Sequence, residues 1–190
     1  MTVPEDKQRL RSQARARRAE ANASLGKTAG NAVVAQFDKS IVVPPRSVVA
    51  GYWPTRNEMD AVPLLQSLHK RGHRIVLPVV EGDAPLTFRL WKPGAPMQPG
   101  PSGTLHPPAT AGAATPTVML VPLLAFDLKG QRLGNGGGHY DRTVEQLRAA
   151  GPLLVVGLAF SSQRIDALPT EAHDQRLDWV ITERGATKFG

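Results

Sequence analysis

Beyond Pro44-Pro45, short aliphatic runs recur at 48–52, 74–79, 117–121, 153–158 and 179–182. Runs that are apolar throughout belong to strands buried on both faces, and strands separated by helices join in parallel. Helices are expected at 61–71, closed by Gly72, and at 139–150. A further run, 86–91, alternates in polarity and reads as a short strand. The expected fold is an α/β, Rossmann-like, three-layer open sheet, mostly parallel, with helices on both faces. A chain of 190 residues with 41% hydrophobic content suits one such unit, so 1–190 reads as a single domain, with no internal repeat.

Ahead of the strands, residues 5–23 contain no Gly or Pro and are dominated by Ala, Arg, Gln and Glu, which predicts a helix. Lys7, Arg11, Arg15 and Arg18 fall at i, i+4, i+8 and i+11, along one face. A second, weaker helix is expected at 28–37. Residues 1–28 carry seven Lys/Arg against three Asp/Glu, which places +4 of the net +7 there. Such a segment calls for an anionic partner: a nucleotide, a polyglutamate tail or nucleic acid. Basicity alone does not choose among them.

Several classes drop out. The absence of cysteine excludes disulfides, thiolate metal sites and cysteine nucleophiles. No apolar run approaches the roughly 18–20 residues that span a bilayer, and no apolar stretch follows the basic start as in a secretory signal. A cytoplasmic protein without a membrane partner is expected. Of the five histidines only His69 and His73 stand at i, i+4; Gly72 lies between them, so both read as surface residues. Residues 92–116 hold seven Pro, four Gly and one charge, which reads as a functional lid or a loose insertion within the one domain.

The most informative segment is Leu120-Val121-Pro122-Leu123-Leu124-Ala125-Phe126-Asp127, followed by Lys129-Gly130-Gln131-Arg132-Leu133-Gly134-Asn135-Gly136-Gly137-Gly138-His139-Tyr140-Asp141-Arg142. A strand enters a glycine loop, and the loop opens a helix. Backbone N–H groups of such a loop, with the helix N-terminus, make an anion site. Arg132 adds a planar cation suited to phosphate. The Gly-Lys-Ser/Thr of a Walker loop is missing, and His139 stands where a dinucleotide fingerprint needs glycine. A plain flexible turn is the alternative that the loop by itself leaves open.

This segment resembles the signature A-F-D-x-x-G-x-R-L-G-x-G-G-G-x-Y-D-R of the 5-formyltetrahydrofolate cyclo-ligases, also called methenyltetrahydrofolate synthetases. Lys7-x-x-x-Arg11, Gly51-Tyr52-Trp53-Pro54 with Asn57-Glu58-Met59-Asp60, and Gly157-Leu158-Ala159-Phe160 with Gln163, Leu168-Pro169, His173-Asp174 and Ile181-Thr182-Glu183 agree in order and spacing. The resemblance thus spans nearly the whole chain. His139 replaces a usual tyrosine, Leu123 a common glycine, and His106 an acid in a proline turn.

The resemblance implies ATP-binding residues Lys7, Arg11, Arg132, Gly134, Asn135, Gly136, Gly137, Gly138, His139 and Tyr140, with Arg132, Tyr140 and Asp141 as the catalytic set. It implies Asp141 and Asp174 as Mg²⁺ ligands, and Trp53 and Glu58 as folate contacts. Each has an ordinary alternative: a solvated face for Lys7 and Arg11, a first-turn acid stabilising its own helix for Asp141, a loop residue for Asp174, core packing for Trp53 and a helix-start acid for Glu58. The implied reaction is ATP- and Mg²⁺-dependent closure of 5-formyltetrahydrofolate to 5,10-methenyltetrahydrofolate with release of ADP and phosphate. The expected partner is that small molecule, with or without a polyglutamate tail, bound by a monomer that takes no nucleic acid. The rivals are a divergent paralogue binding RNA or another nucleotide, and a sugar-phosphate isomerase or acyl-CoA transferase relative, whose fold this architecture resembles. Aromatic residues make up only 5% of the chain, which leaves the basic helix without stacking platforms for RNA.

Overall fold

Residues on the central strands divide between two cores by strict alternation, as a doubly covered sheet requires. In this computed structural model, which describes residues 3–190, Val49, Ile75, Leu77, Val118, Leu120, Val156, Leu158 and Ile181 face one core. Their neighbours Ala50, Val76, Met119, Val121, Val155 and Val180 face the other. The strands are β1 (Val48–Ala50), β2 (Arg74–Val79), β3 (Thr87–Trp91), β4 (Gln98–Pro99), β5 (Leu105–His106), β6 (Val118–Pro122), β7 (Ala125–Phe126), β8 (Arg132–Leu133), β9 (Leu154–Leu158), β10 (Trp179–Thr182) and β11 (Gly185–Lys188). Seven of them form one sheet in the order β11-β10-β9-β6-β1-β2-β3. Pairs β1–β2, β1–β6, β6–β9 and β9–β10 are parallel, whereas the edges β2–β3 and β10–β11 are antiparallel. The three-layer, mostly parallel expectation holds.

Helices α1 (Val3–Ser40) and α2 (Val62–Lys70) cover the first core through Ala29, Val33, Phe37, Leu64, Leu65 and Leu68. Helix α3 (His139–Ala150) covers the second through Val144. The two expected amino-terminal helices are both present, and they meet within α1 at a kink on Gly26, whose φ of 46° and ψ of −137° are not helical. Only glycine adopts that conformation readily, so the bend is written in the residue. It lets the second half of α1 lie on the sheet while Leu10 and Ala14 of the first half pack with Leu124, Ala125, Leu133 and Leu168. No helix among the described residues is long and apolar enough to cross a membrane.

Two expectations change. His73 is buried, not on the surface, and burial together with Arg71 holds its imidazole below the ordinary histidine range. The proline-rich stretch is not loose: β4 and β5 pair within it, Gly112 accepts a hydrogen bond from Leu90 N at 2.7 Å, and Arg89 donates to Pro107 O at 3.1 Å. His106 belongs to this hairpin, with its Nδ1 2.9 Å from Pro107 O.

Candidate functional site

Strands β1, β6, β9 and β10 run the same way, so the segments that follow them gather along one edge of the sheet. From β1 the chain turns toward β2 and β3, while β6, β9 and β10 lie on its other side. The boundary between β1 and β6 is therefore a topological switch point. Loops leave it toward opposite faces and open a crevice, where ligands of open α/β sheets lie.

The β1 side of that crevice is Gly51-Tyr52-Trp53-Pro54 followed by a tight turn. Glu58 N donates to Thr55 O at 3.1 Å, and Glu58 Oε2 accepts from Thr55 N at 2.9 Å and Thr55 Oγ1 at 3.1 Å. Tyr52 donates to Met59 O at 2.7 Å and pins the far end of the turn. These bonds hold Glu58 as a buried carboxylate whose other oxygen, Oε1, lies 3.7 Å from Arg18 Nη1. Trp53 is half-buried and meets Trp91 edge-on, with ring centroids 6.1 Å apart.

The β6 side begins with a small hairpin of β7 and β8. Asp127 explains its shape: Oδ1 accepts from Lys129 N and Gln131 N at 2.9 and 3.0 Å, and Oδ2 accepts from Leu168 N at 3.1 Å. This buried carboxylate is a brace. Gln163 is another. It accepts from Phe160 N at 2.8 Å and donates to Leu123 O and Leu124 O at 2.8 and 3.0 Å, joining the loop after β9 to that after β6.

From β8 the chain passes through Gly134 to Gly138, of which Asn135, Gly136 and Gly137 are exposed. Gly138 stands at the start of α3 with φ 66° and ψ 1°, a left-handed conformation that aims the exposed loop away from the helix axis. No side chain caps α3, so its first N–H groups remain available to an anion. Arg11 Nε donates to Gly134 O at 3.1 Å, which sets one guanidinium against the loop. His139 Nδ1 lies 3.2 Å from Ala84 O, on the side of the β2–β3 connection.

Behind the loop lies a charged layer. Arg132 donates to Asp141 Oδ1 at 2.7 Å and to Gln175 O, and Gln175 N donates to the same Asp141 oxygen at 3.0 Å. Lys7 Nζ sits between Glu171 Oε2 at 2.7 Å and Asp174, at 2.9 Å from Oδ1 and 2.7 Å from Oδ2. Burial, the largest influence on Lys7, favours its neutral form, but the two carboxylates outweigh it and raise its pKa. Burial likewise opposes the charge of Asp174, and the bonds from Lys7 and Glu171 N reverse the balance and lower it. Burial lowers the Arg132 guanidinium, with Asp141 the main compensating charge. The Tyr140 phenol is pushed far up, first by burial and then by Glu58, while Arg132 pulls it down. Tyr140 is thus a proton-bearing donor that feels both the Glu58 and the Arg132 ends of the crevice.

Lys7, Arg11, Arg132, Asp141, Asp174 and the glycine loop therefore come together, and Tyr140 links them electrostatically to Glu58. Trp53 lies on the Trp91 side, and Asn135 at the exposed loop tip. Sequence reasoning did not single out Glu171, which shares Lys7 with Asp174, or Gln175, which bonds both Arg132 and Asp141. It placed Arg18 on the basic face without giving it a role. Glu171, three residues before Asp174, carried the only legible signal of these. Glu171, His173 and Asp174 present ligand atoms within 4.8 Å of one another. Lys7 engages both oxygens of Asp174, whereas both bonds described for Asp141 fall on Oδ1 and leave Oδ2 for a cation. The carboxylates among these residues are donors of the kind Mg²⁺ takes, one or two at a time with water and phosphate completing its shell, although Asp141 is not one of the three that lie within 4.8 Å of one another.

A family model described as the 5-formyltetrahydrofolate cyclo-ligase family matches residues 3–183. A 5-formyltetrahydrofolate cyclo-ligase of Mycolicibacterium smegmatis is 35% identical over 147 residues, 72% of this chain and 73% of its own length. The solution structure of Aquifex aeolicus 5,10-methenyltetrahydrofolate synthetase superposes with a TM-score of 0.75 at 27% identity, covering 96% of this chain and 92% of that one. A Mycoplasma pneumoniae 5,10-methenyltetrahydrofolate synthetase shares the fold, with a TM-score of 0.73 at 23% identity and coverage of 94% and 99%.

Proposed function

The chain belongs to the 5-formyltetrahydrofolate cyclo-ligase family, and from that premise we propose that it closes 5-formyltetrahydrofolate to 5,10-methenyltetrahydrofolate at the expense of ATP, releasing ADP and phosphate. The observation that carries the reading is the crevice itself. A buried carboxylate, Glu58, stands on its β1 side, and an uncapped helix start behind an exposed glycine loop, with Arg11 against it, stands on its β6 side.

In this reading the loop N–H groups, Arg11 and Arg132 hold the triphosphate, and Lys7 contributes once it shares its carboxylate partners. Glu58 accepts N–H bonds from the pterin, and Trp53 walls the ring. The formyl oxygen attacks the γ-phosphorus and ADP departs, leaving the former carbonyl oxygen as part of a phosphate leaving group. N10 then attacks the activated carbon, loses its proton and expels phosphate, which completes the five-membered ring. Such a sequence depends on positioning and fixed positive charge more than on a strong base. Asp141 and Asp174 are the residues that would hold Mg²⁺, whose contribution when bound is to neutralise charge on the phosphate oxygens. Tyr140, kept protonated by its surroundings, can donate a hydrogen bond but has no role as a base at neutral pH.

A thermal-shift screen tests the reading. Mg-ATP and 5-formyltetrahydrofolate at about 100 times their Kd should each stabilise the fold by roughly 2–3 kcal/mol, a rise of several degrees in Tm. Sugar phosphates and RNA should leave it unchanged. Stabilisation by either of these, with none from ATP or folate, would replace the proposal with one of its rivals.

A further inference from the structure

Arg18 is the buried cation that the site does not yet explain. It lies on the α1 face that also carries Lys7 and Arg11, and it is only 6% exposed. A guanidinium offers five N–H donors, and one buried without partners is costly. Arg18 makes one long hydrogen bond, from Nη1 to Leu123 O at 3.5 Å. Its approach to Glu58 Oε1 stops at 3.7 Å, beyond hydrogen-bonding distance, and its Nε has no partner among the described residues. Glu58 is lopsided in the complementary sense. Thr55 fills Oε2 twice, while Oε1 has only the distant Arg18. Donor and acceptor thus stand side by side, each short of a partner, on the β1 side of the crevice.

Two unfilled groups so placed match a ligand edge that presents a donor beside an acceptor. A cis-lactam is such an edge, and the pterin carries one: N3–H next to the C4 carbonyl. We propose that Arg18 and Glu58 act as a pair, Glu58 Oε1 accepting from N3–H and the Arg18 guanidinium donating to the 4-oxo oxygen, so that Arg18 determines specificity for 4-oxo over 4-amino pterins. The inference rests on the folate reading above. The electrostatics agree with that placement: burial lowers the Arg18 pKa, and Glu58 is the main charge opposing the shift. The other charges that act on Arg18 are those of Tyr52, Arg15 and Arg56, and the two arginines repel it. Among the described residues Glu58 is therefore its only carboxylate neighbour of consequence, and a neutral carbonyl oxygen is a better third partner than a second carboxylate beside Glu58.

The test is calorimetric, on the full chain, with 5-formyltetrahydrofolate and its 4-amino-4-deoxy analogue as ligands. Arg18→Gln should weaken binding of the 4-oxo ligand by about 10- to 100-fold, the loss that follows when a matched polar contact is removed from a buried site. The 4-amino analogue, which has no carbonyl for Arg18, should change by less than about threefold, and the Kd for Mg-ATP should stay the same. Arg18→Lys, which keeps the charge beside Glu58, should fall between and carries the comparison if Arg18→Gln does not fold. Equal loss for both pterins would make Arg18 a packing residue, and no loss for either would remove it from the site. Glu58→Gln keeps the two levels apart. If it binds 5-formyltetrahydrofolate like wild type, the folate reading itself fails; if it weakens binding while the Arg18 variants do not, only the pairing is overturned.

Discussion

Lys7 shows how far a motif reaches at the scale of the residue. Its spacing from Arg11 marks both as phosphate ligands by resemblance, and Arg11 does lie against the glycine loop. Lys7, however, is held by Glu171 and Asp174 at hydrogen-bonding distance, which no local sequence pattern could show because these partners stand 164 and 167 residues away. The same limit hides Arg18, whose neighbour Glu58 comes from another element. The polar residues of the motif segments divide accordingly. Asp127 and Gln163 brace backbone, while Arg132 and Asp141 form the charged layer behind the glycine loop and Glu58 stands on the β1 side. Lys7→Ala with Arg11→Ala should raise KM for ATP at least about tenfold, with KM for folate changed far less, since each removes a charged donor worth roughly 1–3 kcal/mol. The pair should also lose stability, because Glu171 and Asp174 are left facing each other. An unchanged KM for ATP would reduce both residues to structural supports.

At the scale of the element, long apolar runs and glycine stops were read well: Arg74–Val79, His139–Ala150 and Trp179–Thr182 fall where the pattern predicts. What escaped has little apolar pattern to read. Strand β11, Gly185–Lys188, is a short edge, and β7 and β8 are two residues each, their pairing fixed by Asp127 rather than by propensity. The two helical stretches of α1 are legible because residues 24–27 interrupt the pattern, and the non-helical kink at Gly26 falls in that interruption. Added bulk at Gly26 would meet nothing within 4 Å, so only the backbone conformation matters. Gly26→Ala should destabilise the protein by about 1–2 kcal/mol through that strain, lowering Tm by roughly 2–8 °C. A neutral or stabilising effect in urea unfolding would mean that the bend is not required.

At the scale of the whole molecule, the sheet class was legible and the strand order was not. Alternating strands and helices dictate a parallel, doubly covered sheet, but which strand neighbours β1 depends on contacts between Val49 and Val118, 69 residues apart. That neighbour creates the switch point, across which the charge of Glu58 acts on Tyr140 in the first turn of α3. The account stands or falls on whether the two sides of this crevice work on one folate and one ATP. Methenyltetrahydrofolate absorbs near-ultraviolet light that 5-formyltetrahydrofolate does not, so ring closure can be followed directly in wild-type protein supplied with 5-formyltetrahydrofolate, Mg²⁺ and ATP. The predicted result is growth of that absorbance with one ADP released per ring closed, and none when ATP is withheld. Folded wild-type protein that forms neither the methenyl product nor ADP would contradict the account.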